Sequence, residues 1–154
     1  MVHVMNKPLY EQDFFRWSEE QARALRAAAS MQINAALDWD NLAEEIESLG
    51  RSERRELGSR IQVIVEHLMK LQASSATEPR RGWRATVLRE RGLIERLFND
   101  SPSLRGTATE MIAYAIPRAR ALVEEGLAAH GEPSAKLHSL DYTEDQVLGD
   151  WLPA

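Results

Sequence analysis

Between positions 38 and 47 the chain carries five carboxylates, Asp38, Asp40, Glu44, Glu45 and Glu47, and no basic residue. Glu44 and Glu47 stand three apart, so a helix puts both on one face. Glu53 and Glu56 repeat that step nine residues later. Paired acidic steps of this kind hold magnesium in all-helical nucleotide pyrophosphohydrolases, where the metal gathers phosphate oxygens and activates water. That chemistry calls for a second acidic step on a facing helix, and no Glu-x-x-Asp occurs downstream. The competing use is electrostatic. Acids complement the positive end of a helix dipole, and Glu47 with Arg51 and Glu56 with Arg60 are i,i+4 pairs in the favoured orientation. No cofactor is therefore expected, and magnesium enters only with the hydrolase reading.

A basic counterpart follows. Arg80, Arg81, Arg84, Arg89, Arg91 and Arg96 set six arginines around Trp83 against two acids, Glu90 and Glu95. Arginines beside a tryptophan can grip phosphate and stack on a base. They can equally pair with carboxylates, for which the planar guanidinium fork is well shaped. The second use predicts that helix 80–96 and the acids of 38–47 face one another, within a chain or across a dimer, with Trp83 on the apolar stripe. Glu90 and Arg91 fall where this helix turns inward, which makes one of them a candidate buried charge in need of a partner. His3, His67, His130 and His138 all lack a glutamate three residues before them, so the step that marks a di-iron bundle is missing. His67, beside Ile64 and Leu68, reads as a hydrogen-bonded structural histidine.

The elements that must carry these residues read as helices. Phe14, Ser18, Ala22, Leu25 and Ala29 recur at helical steps within a segment running from Pro8 to Ala29. Residues 30–37 fit either a short helix or a packed connection. Asp38 or Asp40 can cap the next helix, whose apolar stripe runs Leu42, Ile46, Leu49, Leu57, Ile61, Ile64, Leu68 and Leu71. Gly50, Ser52 and Gly58 weaken its interior and favour a bend or short break near Gly50, although the stripe stays in phase across it. Ala73 to Pro79 is a connector. Trp83, Val87, Ile94, Leu97 and Phe98 mark another helix. Ser101 with Pro102 starts a further one, carrying Leu104, Ala108, Met111, Ala115, Ala119 and Leu122 on one face, kinked by Pro117 and ending near Gly131 and Pro133. Residues 132–142 read as an extended loop, and Thr143 with Gln146 as a capping box for a last short helix.

Totals narrow the function. At 154 residues the chain suits one domain. A net charge of −5 argues against nucleic acid as a partner, because phosphate-backbone affinity rests on a basic surface. Zero cysteines suit a reducing, cytoplasmic setting. The apolar runs are far shorter than the roughly 20 residues a membrane span needs, and residues 1–8 lack the pattern of an export signal.

The motifs Tyr10-Glu11-Gln12-Asp13-Phe14, Asp38 through Leu57, Trp83-Arg84, Asp100-Ser101-Pro102-Ser103-Leu104 and the ending from Tyr142-Thr143 to Trp151-Leu152-Pro153 resemble the bacterial family catalogued as domain of unknown function twenty-nine. The resemblance covers nearly the whole chain from Tyr10. It implies an all-helical fold and a bacterial origin, and it brings no activity, cofactor or catalytic residue. Residues 30–37 depart from the family pattern, which is more charged there.

The sequence thus predicts an all-α protein: a single irregular bundle of about five or six helices over residues 1–154. Residues 1–8 are expected to be flexible, and 132–154 to form a loop and short helix packed on the body. The preferred function is a non-enzymatic protein-interaction or regulatory module with a protein partner or as a homodimer. The alternative is a metal-dependent nucleotide or phosphate-ester hydrolase on helix 38–56. Nucleic-acid binding through helix 80–96 comes third.

Overall fold

The computed structural model describes residues 7–154. The expectation of a flexible start falls largely on residues 1–6, outside that range. Six α-helices make up the described chain: α1 (Leu9–Gln12), α2 (Phe14–Ser30), α3 (Trp39–Ala73), α4 (Arg80–Asp100), α5 (Ala108–Ala129) and α6 (Glu144–Leu148). Two 3-10 helices, Pro102–Thr107 and Ala135–Ser139, join them, and no strand occurs among the described residues. None of these helices is long and apolar enough to cross a membrane. The all-α expectation holds.

Contacts gather the chain into two compact units, one of residues up to Glu56 with Leu97–Arg105, the other of Leu57–Arg96 with Gly106–Ala154. In the first, α1 and α2 are separate helices where the sequence reads as one. Asp13 adopts an extended backbone and its carboxylate accepts from Arg16 N–H at 2.9 Å, so it stops α1 and caps α2. Tyr10, Phe14 and Trp17 then pack edge-on and stacked, with Tyr10 and Trp17 ring centres 4.8 Å apart. Residues 31–38 form the connection to α3 and are not helical.

The break expected at Gly50 does not occur: α3 runs unbroken through it for 35 residues. Gly50 is there because another helix crosses it. A Cβ built at Gly50 would lie 2.1 Å from the Ser18 Oγ and 3.3 Å from a ring carbon of Phe15, both on α2. Ser18 is fully buried, and so are Ala22 and Ala43. Small side chains thus let α2 and α3 approach where large ones would hold them apart. The same packing corrects the predicted stripe: Leu42 and Leu49, expected inside, are 40% and 49% exposed.

In the second unit the stripe is as predicted. Leu57, Ile61, Ile64 and Leu68 are fully buried and Leu71 nearly so; Val65 and Met69, outside the predicted stripe, are buried as well, as are Val87 and Ile94 of α4. The face of α5 turned inward is Ala108, Ile112, Ala115, Ile116, Ala119, Val123 and Leu127. Leu122, expected there, is exposed instead. Pro102–Thr107 forms a 3-10 turn ahead of α5, so that helix starts six residues later than Pro102 suggests. It continues through Pro117. It closes on Gly131, whose φ of 67° is natural to glycine. There the Glu132 N–H reaches Leu127 O at 2.9 Å and the Gly131 N–H reaches Ala128 O at 3.0 Å, the paired bonds of a Schellman ending. Residues 132–142, read as a loop, contain the 3-10 turn Ala135–Ser139, while the Thr143/Gln146 capping box is present as expected.

Candidate functional site

Asp38 caps α3, its carboxylate accepting from the Asn41 side chain at 2.7 Å and from Asn41 N–H at 3.3 Å. One and a half turns on, Glu44 and Glu47 meet two arginines. Arg26 of α2 donates to Glu47 at 2.5 Å and stands 3.7 Å from Glu44. Arg51, one turn further along α3, bonds to Glu44 and lies 3.4 Å from Glu47. The hydrogen bond from Arg26 is the main reason that Glu47 is held below the usual carboxylate range and that Arg26 is raised. The cation partners of the acidic segment are thus Arg26 and Arg51. The Glu47–Arg51 step is the i,i+4 pair expected from the sequence, whereas the long-range partner it pointed to, the arginines of 80–96, gives way to Arg26, because charge patterning reveals complementarity and not which complementary segment is nearest in space.

Glu53 does not join Glu44 and Glu47. It is partly buried and accepts a hydrogen bond from the Ser101 hydroxyl, which in turn accepts from Phe15 N–H at 3.0 Å. Burial pushes the Glu53 carboxyl above its ordinary value, against the opposing effect of the Ser101 bond. Nearby, Asp13 accepts from Ser103 N–H and from the Ser103 hydroxyl, both at 2.8 Å. Ser101 is fully buried and Asp13 nearly so. A hydroxyl beside a carboxylate is the pair a nucleophile and base would form, yet a hydroxyl with no exposed surface, already accepting from a backbone amide, is closed to a substrate. Its work is to satisfy the free amides at the start of α2. Among the described residues no group of three or more His, Asp or Glu side chains converges to hold a metal ion.

The basic cluster also has internal partners. Arg80 donates to the Ala154 carbonyl at 2.7 Å and Arg84 to the Pro153 carbonyl at 2.9 Å. Arg91 reaches three carbonyls, Val147 at 2.9 Å and Gln146 and Trp151 at 2.8 Å each. Its remaining terminal nitrogen is buried with no hydrogen-bond partner, and burial lowers the guanidinium from its ordinary value. Glu90 pairs with Arg60 at 2.9 Å, its side chain only 13% exposed. Both members of the predicted inward pair are therefore drawn in, each with its own partner. Arg81 is exposed, and Trp83 is half-buried against a cavity. His67 donates through Nδ1 to Val63 O at 2.7 Å, and burial lowers its pKa.

Sequence reasoning missed Arg26, Asp13, Ser101 as a buried hub, and Ser103. Asp13 carried a readable signal, a short acid three residues before the Arg16 amide it caps. Arg26 carried none, since nothing in spacing alone brings position 26 beside position 47.

The fold and its charged clusters define an all-helical protein whose ionisable side chains are largely engaged by the chain itself. The chain belongs to the family described as domain of unknown function DUF29, whose model matches residues 9–152. It is similar to the crystal structure of an alpha-helical protein of unknown function from Rhodospirillum rubrum, with a TM-score of 0.71 and 25% identity over 96% of this chain and 100% of that one. No curated protein matches it.

Proposed function

We propose that the protein is a non-enzymatic interaction module, acting in the cytoplasm through one face of α3. The observation that carries this reading is the pair of exposed leucines Leu42 and Leu49, seven residues apart and therefore on one helix face, with Ile46 half-buried between them. The preceding connection adds Met31, Ile33 and Leu37, 73%, 49% and 52% exposed. Exposed apolar side chains that share one helix face, as Leu42 and Leu49 do, are characteristic of a binding surface. Asp38 and Glu45 lie one turn from Leu42 on its margins, so the face suits an amphipathic partner helix with basic edges. A second copy would bring acid against acid.

The test is fluorescence anisotropy with a labelled amphipathic peptide carrying leucines at i, i+3 and i+7 and lysines on its margins. Binding to the wild type that is lost in Leu42→Glu/Leu49→Glu, and absent for the same peptide with glutamate margins, supports the module. Equal binding to wild type and variant refutes it. So does calorimetric uptake of magnesium that Glu44→Gln abolishes.

A further inference from the structure

The second unit holds a cavity of about 330 Å³ where the end of α3, the start of α4 and the end of α5 meet. That volume lies at the small end of ligand sites and admits on the order of ten non-hydrogen atoms. Trp83, Val123 and Leu127 give it a mainly apolar wall, and Lys70 is among the residues that line it. The charges around it are unequal in availability. Glu132, set in place by the Gly131 ending of α5, accepts from Ser75 N–H at 2.6 Å, from the Ser74 hydroxyl at 2.9 Å and from the Ser75 hydroxyl at 3.1 Å. Those donors, the Ser75 amide foremost, hold it below the usual carboxylate range. The Lys70 ammonium takes part in no hydrogen bond or ion pair among the described residues. His130 is oriented by its Nδ1–H, which donates to the Gly126 carbonyl at 2.9 Å.

We propose that this cavity binds a small amphipathic monocarboxylate, with an aromatic or branched apolar body against Trp83, Val123 and Leu127 and its carboxylate paired with Lys70. An apolar cleft with an available lysine among its lining residues discriminates by head group: an acid gains a charge-assisted contact that an alcohol of the same shape does not, and an amine is repelled. This site shares no residue with the α3 face proposed above, so either reading can fail without the other.

Phenylacetate, 2-phenylethanol and 2-phenylethylamine provide matched probes, measured on the full chain by saturation-transfer NMR and calorimetry. Phenylacetate is expected to bind more tightly than the alcohol, and the amine not at all. Lys70→Met removes the acid's advantage, weakening phenylacetate by about tenfold while leaving the alcohol unchanged. Gly126→Leu is the second variant. Gly126 lines the cavity, and a Cβ there meets nothing within 4 Å, so a side chain can start from this position without a clash at its first atom. It is expected to abolish binding of all three probes with the melting temperature preserved. No binding of phenylacetate to the wild type, equal binding of acid and amine, or acid binding undisturbed by Gly126→Leu would each overturn the proposal.

Discussion

Replacing Gly50 with alanine is an unusual perturbation, because intrinsic helix propensity and packing predict opposite signs. In an exposed helix interior the change stabilises by about 1 kcal/mol. Here the added methyl would sit 2.1 Å from the Ser18 Oγ, which has no exposed surface and donates to Phe15 O at 2.7 Å. Ser18 must leave that position. The lost hydrogen bond costs about 0.5–1.5 kcal/mol and the overpacking about 1–3 kcal/mol. Less the propensity gain, Gly50→Ala destabilises by roughly 1–3 kcal/mol, which for a chain of this size lowers the melting temperature by roughly 3–10 °C. Removing the hydroxyl first changes the outcome. In a Ser18→Ala background the nearest atoms are Phe15 Cδ2 at 3.3 Å and the residue-18 Cβ at 3.4 Å, close but tolerable contacts. Gly50→Ala should then be neutral or stabilising by up to about 1 kcal/mol. Urea unfolding of the four proteins, followed by circular dichroism, gives a coupling energy expected near 2 kcal/mol. A stabilising Gly50→Ala on its own, or a coupling under about 0.5 kcal/mol, refutes the close crossing of α2 and α3.

Three further outcomes follow from the charged groups. Glu53 holds its proton more tightly folded than unfolded, so its contribution to stability is full below about pH 4.3 and fades as pH rises through its elevated folded value. Glu53→Gln, permanently neutral, should therefore gain on the wild type as pH climbs from about 4 to 7, and a pH-independent difference in melting temperature would contradict this. Arg91→Met removes three carbonyl bonds and should cost about 2–4 kcal/mol in urea unfolding, with faster amide exchange in residues 143–154; Arg91→Lys, a single ammonium, should recover little of it. Arg26→Gln should shift the unfolding midpoint only at low ionic strength and leave it unchanged in about 0.5 M salt, since its pairs with Glu44 and Glu47 are exposed.

What the sequence made legible was whatever depends on a residue's own helix. The run from Leu57 to Leu71 repeats at helical steps and is buried as read. The Thr143/Gln146 box likewise needs only its own four residues. What it hid depends on a second segment. Gly50 is a weak helix former in isolation and a necessity beneath Ser18, and the crossing that buries Gly50 and Ala43 also turns Leu42 and Leu49 outward. The candidate clusters follow the same division. Both were found as compositions and the Glu47–Arg51 step within α3 was legible, but Arg26 came from α2, and the partners of Arg80, Arg84 and Arg91 proved to be main-chain carbonyls near residue 150, which no charge pattern can announce.

A guanidinium that addresses only peptide oxygens is blind to the side chains borne by the residues it holds. Arg91 therefore asks nothing of the side chains at 146, 147 and 151, and Gln146 and Val147 are constrained instead by their own work in the capping box and the core. The route of this segment is held through one distant arginine, independently of the tasks its own side chains perform.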